Sequence, residues 1–222
     1  MIQVSEAFRS SFPGARLGLL AMSGVANPAI DSQLQLRKAE IEKELRERYQ
    51  GVERAQLKQL PVMQAYVRYF GNFEKTYHLL LQLESVALKG KPIPSVAALV
   101  EAMFMAEIKN MLLTAGHDLE KVSLPLTLGV AAGGEQYLGI RGRDETCKSG
   151  DMMLADGEGI ISSVLCGPDA RTRIAPWTRK ALFTVYAPEG VDEGAVHAHL
   201  RDLEDYVRLA SPDAVTEASQ VA

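Results

Sequence analysis

Apolar residues recur at helical spacing through the first half of the chain and in short strand-like runs through the second. An early run, Ala15 to Met22, lies between the turn formers Pro13-Gly14 and Asn27-Pro28 and predicts a strand. Asp31 or Ser32 then caps a helix reaching about Tyr49. Its seam of Leu34, Ile41 and Leu45 is thin and most other positions are charged, which describes a solvated outer helix. Pro61 suits the first position of a helix running toward Phe70, which Gly71-Asn72 interrupts. Tyr77, Leu80, Leu81, Glu84 and Leu88 predict a further helix from Phe73 to Leu88, stopped by Gly90.

Pro94-Ser95 opens the strongest helical pattern, which runs to Leu113 before Gly116 ends it. Val96, Leu99, Val100, Met103, Phe104, Met111 and Leu112 share one face, and the alanines and Met105 make most of the rest apolar, so the helix is expected to be buried. The same geometry sets Glu107 and Asn110 inside that face. A buried carboxylate needs a partner. Either an arginine meets Glu107, or the face lines a wet pocket.

After Gly116-His117-Asp118-Leu119 the texture changes to β. Ser123 to Ala131, Gln136 to Arg141, Met152 to Ala155, Ile160 to Cys166 and Lys180 to Ala187 are separated by glycine-rich turns. Gly133-Gly134 reads as a hairpin turn, and Ala155-Asp156-Gly157-Glu158-Gly159 has strong hairpin chemistry. Asp192 caps a last helix built on Val196, Leu200, Leu203 and Val207. The order predicts an α+β fold, a mixed or largely antiparallel sheet packed with helices. Three segments follow: an N-terminal extension over 1–60, a strand and a charged helix packing on the core, then a main domain over 61–210 and a flexible tail over 211–222.

The formal charge of -4, from 24 Lys plus Arg against 28 Asp plus Glu, supplies no global field for nucleic acid, so any RNA contact must be local. The longest apolar-rich stretch, Val96 to Leu113, carries Glu101, Glu107 and Lys109. No signal peptide, membrane span or membrane partner is therefore expected, and the expected location is cytoplasmic. Cys147 and Cys166 have no paired metal spacing and suit free thiols; Cys166 reads as a nucleophile or as a small buried hydrophobe. His197 and His199, two apart on a helix, do not form a metal pair. With no Walker loop, GxGxxG, HExxH, GxSxG or CxxC, neither a cofactor nor a metal is expected. Tyr66, Arg68, Tyr69, Lys75, Tyr77 and His78 interleave rings with cations, as RNA-contacting surfaces and amphipathic packing with snorkelling cations both do.

The chemistry concentrates in Ser162 to Thr178, where an apolar run breaks at Gly167-Pro168 and is followed by Asp169, Arg171, Thr172 and Arg173. Glycine lets a ligand approach the backbone, and proline fixes the exit direction. Two blocks here carry a family resemblance. Leu99-Val100-Glu101 through Gly116-His117-Asp118-Leu119-Glu120-Lys121-Val122 resembles the VVDxxN helix and HAFDLDKL of the phenylalanyl-tRNA synthetase beta subunit, without a gap from Leu99 to Asp118. Met153-Leu154-Ala155-Asp156, Ser163-Val164-Leu165-Cys166-Gly167-Pro168-Asp169 and Thr178 are similar to that subunit's LVIAD, AGIMGGE and a downstream threonine. Together they resemble a stand-alone B3/B4 tRNA-binding domain over roughly residues 60 to 190.

That resemblance implies an editing site, which hydrolyses mischarged aminoacyl-tRNA. It implies Gly167, beside Pro168, as the close-approach glycine. Asp169 takes the acidic position that recognises a phenol or orders the attacking water, making it the expected catalytic residue. Asp118 and Asp156 correspond to motif aspartates that hold loops through backbone N–H groups. Arg171 and Arg173 are expected either to meet the terminal phosphates of tRNA or to pair with Asp169 or Glu158. The chain departs from the motif at its histidine, where Ala115 stands, at its helix asparagine, where Phe104 stands, and at its aspartate, where Glu101 stands. His117 comes two residues after the motif histidine. The expected binding set is thus Gly167, Pro168, Glu107, Asn110, His117, Asp118 and Asp156, with Asp169 acting on an ester. The expected partner is tRNA or aminoacyl-tRNA, or alternatively a free amino acid or small metabolite. An RNA-binding protein without esterase activity is the third reading.

Overall fold

The computed structural model describes residues 2–222. In its N-terminal part β1 (Ile2–Val4), α1 (Glu6–Ser11) and β2 (Arg16–Ser23) precede α2 (Ser32–Arg48), α3 (Arg54–Leu57) and α4 (Pro61–Gly71). Next come α5 (His78–Leu83), continued by one wide turn over Glu84–Leu88, and α6 (Ala98–Asn110). The strands are β3 (Leu113–Asp118), β4 (Leu126–Val130), β5 (Gln136–Leu138), β6 (Asp144–Thr146), β7 (Met152–Asp156), β8 (Gly159–Ser163), β9 (Gly167–Pro168) and β10 (Lys180–Ala187). Helix α7 (Glu193–Ala210) and β11 (Val215–Val221) complete the described chain. The fold is α+β, as the pattern predicts.

One sheet has the order β11-β2-β10-β3 and is antiparallel throughout. A second has the order β1-β4-β7-β8-β9, in which β1 runs parallel to β4 and the other pairs are antiparallel. The two meet where the Tyr186 hydroxyl on β10 bonds the Ser162 hydroxyl on β8. Helices α6 and α7 pack on each other, with α2 against both, α7 against β2 and α6 against β3. The hairpin β5–β6 stands apart and is tied to the second sheet by a bridge between Gly139 and Asp169.

Several boundaries differ from expectation for physical reasons. Residues 1–60 contribute β2, which runs between β11 and β10 with Leu17 and Leu19 through Met22 fully buried. The expected flexible tail 211–222 is strand β11, because β2 needs a backbone partner on that edge; Leu17 N donates to Ala222 O at 2.9 Å and Ala222 N to Leu17 O at 3.0 Å. Helix α5 starts at His78 rather than Phe73, since Glu74 turns left-handed (φ 58) and the Lys75 amide folds back to Phe70 O. Helix α6 stops at Asn110 through a left-handed Met111 (φ 61). Leu113 to Asp118 is claimed by pairing with β10, so Gly116 is a strand residue. Its role is close approach: an added Cβ would come within 2.7 Å of the Ile174 side chain. Gly133-Gly134 connects β4, which pairs with β7, to β5, which pairs with β6, so it is a crossing between sheets rather than a hairpin.

Where local chemistry is decisive, it matches. The Asp31 carboxylate caps α2 by accepting the Leu34 amide at 2.9 Å, Pro61 opens α4, and Asp156 pairs with Gly159 across the β7–β8 hairpin. The seam of α2 includes Lys38 as well as Leu34, Ile41 and Leu45. Lys38 Nζ lies 3.0 Å from Glu101 Oε2 on α6 and donates to Ser95 Oγ at 2.6 Å. Glu101 also takes the Gln35 amide group at 2.6 Å and the Val96 backbone N–H at 2.9 Å, so this buried pair is fully bonded and locks α2 to α6.

Candidate functional site

A cavity of about 640 Å3 opens between α6, the end of α5, β3 and the loop from β8 into β9. Val100, Met103, Phe104 and Glu107 of α6 form one wall, Leu113 to Gly116 of β3 the floor, and Ser163 to Pro168 the opposite wall. Ile140, Arg141 and Glu145 from the β5–β6 hairpin and its turn stand on its lining, as do His78 and Gln82 of α5. Parts of the two sequence blocks that carry the resemblance, within Val100 to Gly116 and Ser163 to Pro168, therefore face each other across one space. Ala115 and Phe104, which replace the motif's histidine and asparagine, both line it.

Glu107 is the carboxyl group within this apolar wall, only 4% exposed. Its Oε1 accepts the Thr114 amide at 2.8 Å, and among the described residues no donor reaches Oε2. No arginine meets it, so of the two arrangements open to this residue the pocket lining is the observed one. Burial pushes its pKa to about 8, against the pull of the Thr114 amide, so the carboxyl is largely protonated at neutral pH in the free protein. The neighbouring hydroxyls are engaged: Tyr66 bonds Tyr186 O and receives the Leu113 amide, and Tyr77 donates to Met111 O at 3.0 Å. Thr114 Oγ1 lies 2.8 Å from Nε2 of the buried His199 on α7, a ring whose pKa burial depresses to about 4.

The opposite wall is held by residues far away in sequence. Gly167 adopts φ 84, a conformation that favours glycine, and no heavy atom lies within 4 Å of where a Cβ would stand. Tyr137 OH donates to Gly167 O at 2.6 Å. The Cys166 amide donates to Ser163 Oγ at 3.1 Å, and buried Asp151 takes the Leu165 amide at 3.2 Å. Asp151 is itself fixed by Tyr69 OH at 2.6 Å, and that hydroxyl accepts the Met152 amide at 2.7 Å. Tyr69 thus belongs to the support of the corner rather than to an RNA-facing surface. No local pattern marks Asp151 or Tyr137; the only available signal for Tyr69 is that a tyrosine on an apolar helix face needs an acceptor.

Gly167, Pro168 and Glu107 share the cavity, whereas the remaining expected residues do not line it. Asp169 is buried and turned away from it. Its carboxylate takes the Thr172 amide at 3.1 Å and the Thr172 hydroxyl, and the Thr172 Oγ1 meets His117 Nδ1 at 2.7 Å. Burial raises the Asp169 pKa although those bonds oppose it. The Asp169–Thr172–His117 chain stitches the 169–173 turn onto β3, where His117 bridges Arg173. His117 is fully buried with Nε2 unpartnered, and burial depresses its pKa to about 4. Asp169 follows the two-residue strand β9 and is drawn into the turn by Thr172, and His117 is drawn to the same turn by its bridge to Arg173, so both side chains are held on that side rather than in the cavity.

Asn110 turns toward α7, donating to Asp202 Oδ2 at 2.8 Å. Asp118 accepts the Glu120 amide at 3.1 Å and the Thr178 hydroxyl at 2.8 Å. Asp156 accepts the Ser123, Glu158 and Gly159 amides. Burial works against its ionisation, but the Ser123 and Glu158 amides and Arg171 outweigh it and hold the pKa below the ordinary range. Both aspartates are loop holders. Arg171 is committed to Asp156 at 2.8 and 2.9 Å and to Lys121 O at 2.7 Å. With Asp169 and Arg173 it lines a second, more open hollow beside Glu158 and Gly159. Cys166 lines the main cavity and Cys147 is buried; both are free thiols. Among the described residues no group of three or more His, Cys, Asp or Glu side chains could hold a metal ion, and no helix is long and apolar enough to cross a membrane.

No protein-family model matches the chain, and no curated protein matches it. Among solved structures it is similar to an N-terminal fragment of the phenylalanyl-tRNA synthetase beta subunit from Pyrococcus horikoshii, with a TM-score of 0.49 and 11% identity, over 100% of this chain and 50% of that one. The chain spans about half the length of that structure.

Proposed function

We propose that the cavity is an aminoacyl-group pocket, which binds the aminoacylated end of a tRNA or a free amino acid and holds it without hydrolysing it. The observation that carries this reading is that parts of both blocks resembling the B3/B4 domain, within Val100 to Gly116 and Ser163 to Pro168, line one cavity, with the left-handed Gly167 corner opposite the Glu107 face. The space accommodates one amino-acid side chain with its backbone end, within the size range of small-molecule sites.

Binding is favoured over hydrolysis by the composition of the wall. Ester hydrolysis needs a positioned base for water and donors for the developing oxyanion. At the two positions where the motif supplies polar side chains the cavity presents Ala115 and Phe104, and Asp169 and His117 are bonded to Thr172 outside it. Incubation of the purified protein with a panel of correctly and incorrectly charged tRNAs, together with calorimetric titration of free amino acids, tests the proposal. Saturable binding without deacylation is the expected result. Deacylation above background that is lost in Gly167→Ala would show an editing enzyme instead, and absence of binding by every member of both panels would reject the pocket.

A further inference from the structure

Glu107 lines the cavity as a buried carboxyl with one oxygen on the Thr114 amide and the other free of any protein donor among the described residues. Among the described residues no cation bonds it: the titratable groups that share the lining, His78 of α5 and Arg141 and Glu145 of the β5–β6 hairpin, make no hydrogen bond or ion pair with Glu107. Tyr66 of α4 and Tyr77 before α5 are neutral and bonded elsewhere. His199 of α7 is bonded to the Thr114 hydroxyl, and Lys109 of α6 itself reaches Asp202 at 2.6 Å. Arg141, also on the cavity lining, comes from the exposed turn of the β5–β6 hairpin. By contrast, Glu101, six residues earlier on the same helix, has its lysine supplied within the protein. A carboxyl kept in an apolar wall with no counter-charge costs stability, so its place on the cavity needs a reason.

We propose that Glu107 anchors the ammonium group of the ligand, making the cavity selective for primary amines with a compact apolar side chain over isosteric alcohols. This rests on the aminoacyl-pocket reading and specifies how that pocket identifies its ligand. An ammonium group at Oε2 restores the missing pair: the bound cation favours the ionised carboxylate, the proton leaves to solvent, and the Thr114 amide continues to hold Oε1. Val100, Met103, Phe104 and Ile174 then surround the side chain. An alcohol of the same shape offers no charge, so Glu107 stays protonated and only a neutral hydrogen bond forms. Free amino acids and aminoacyl esters share this ammonium chemistry.

The test is titration of wild type and Glu107→Gln with leucine, methionine and phenylalanine, their methyl esters, and the corresponding 2-hydroxy acids and their esters. The two sources separate because free acids and esters are compared directly. For the wild type the amines should bind at least roughly tenfold more tightly than the hydroxy counterparts. Glu107→Gln, which keeps an acceptor for the Thr114 amide, should erase most of that preference. Calorimetry of the wild type at neutral pH in buffers of different ionisation enthalpy should show proton release with the free amino acids, which enter as ammonium ions, and none with the hydroxy acids, a readout independent of the variant's folding. Equal affinity for amine and hydroxy ligands, or a preference that survives Glu107→Gln, overturns the anchor while leaving the pocket intact. Failure of all these ligands to bind the folded wild type rejects the pocket and the anchor together.

Discussion

Glu107 Oε1 sits 2.8 Å from the amide nitrogen of Thr114, so the helical wall of the cavity is tied to the strand that forms its floor through a side chain held protonated. A carboxyl whose pKa is raised on folding binds a proton that the unfolded chain gives up. Its stabilising effect is complete below the unfolded value near 4.5 and is lost as pH rises through about 8. Glu107→Gln should therefore be close to wild type near pH 5 and more stable than wild type at pH 8 to 9, with melting temperature measured across that range. A difference that does not grow with pH would show that the carboxyl is solvated.

The two buried histidines act in the opposite sense. His117 and His199 both have pKa values depressed to about 4, below the ordinary 6.5, so the unfolded chain takes up protons that the folded one refuses. The stability they contribute is fully present above about pH 6.5 and falls as pH drops toward 4. His199→Gln should flatten this acid limb. Proton titration of the two imidazoles by NMR should show neither charging above pH 5 in the folded protein.

Removing one member of the Lys38–Glu101 pair leaves a charge 1% exposed without its counter-ion. Lys38→Met should cost about 3–5 kcal/mol in urea unfolding. The double variant Lys38→Met with Glu101→Gln should recover much of that loss. A single variant that is nearly neutral would mean that α2 is not fixed through this pair.

Gly167→Ala places a methyl group in open space but at φ 84, so its cost is conformational rather than steric, roughly 1–2 kcal/mol. Because Gly167 lines the cavity, the added methyl should also weaken ligand binding more than Gly159→Ala does. Gly159 likewise has positive φ (146) and open space around it, but it does not line the main cavity. Comparing melting temperatures and affinities of the two variants separates backbone strain from intrusion into the site.

The sequence reveals features whose cause is local. The Asp31 cap, Pro61 at a helix start and the Asp156-Gly157 turn each follow from the chemistry of a few adjacent residues. Helical period likewise brings Val100, Met103, Phe104 and Glu107 to one face, and that face lines the cavity. What it conceals depends on pairing between distant segments. β10 converts the expected end of a helix into β3, and with that the directions of His117 and Asp118 change. Two residues of β9 are too few to show that Gly167 and Pro168 face the cavity while Asp169 turns to Thr172. The Tyr69–Asp151–Leu165 support joins residues 82 apart in its first link, beyond the reach of any motif.

Strand β2 has its partners at the far end of the chain: Ala26, just beyond it, donates to Ser211 across 185 residues, and Tyr66 reaches Tyr186 across 120. Loop closure over such lengths makes sheet assembly the slow part of folding, whereas α2, α4 and α6 form from local contacts. The expected order therefore places the helical face bearing Glu107 ahead of the strands that close over it. On that order its carboxyl should stay hydrated and charged until β3 docks on β10 and should take up its proton then. Stopped-flow refolding with a pH indicator should detect this as proton uptake during the slowest phase, so the last event in building the pocket would also be the one that sets its chemistry.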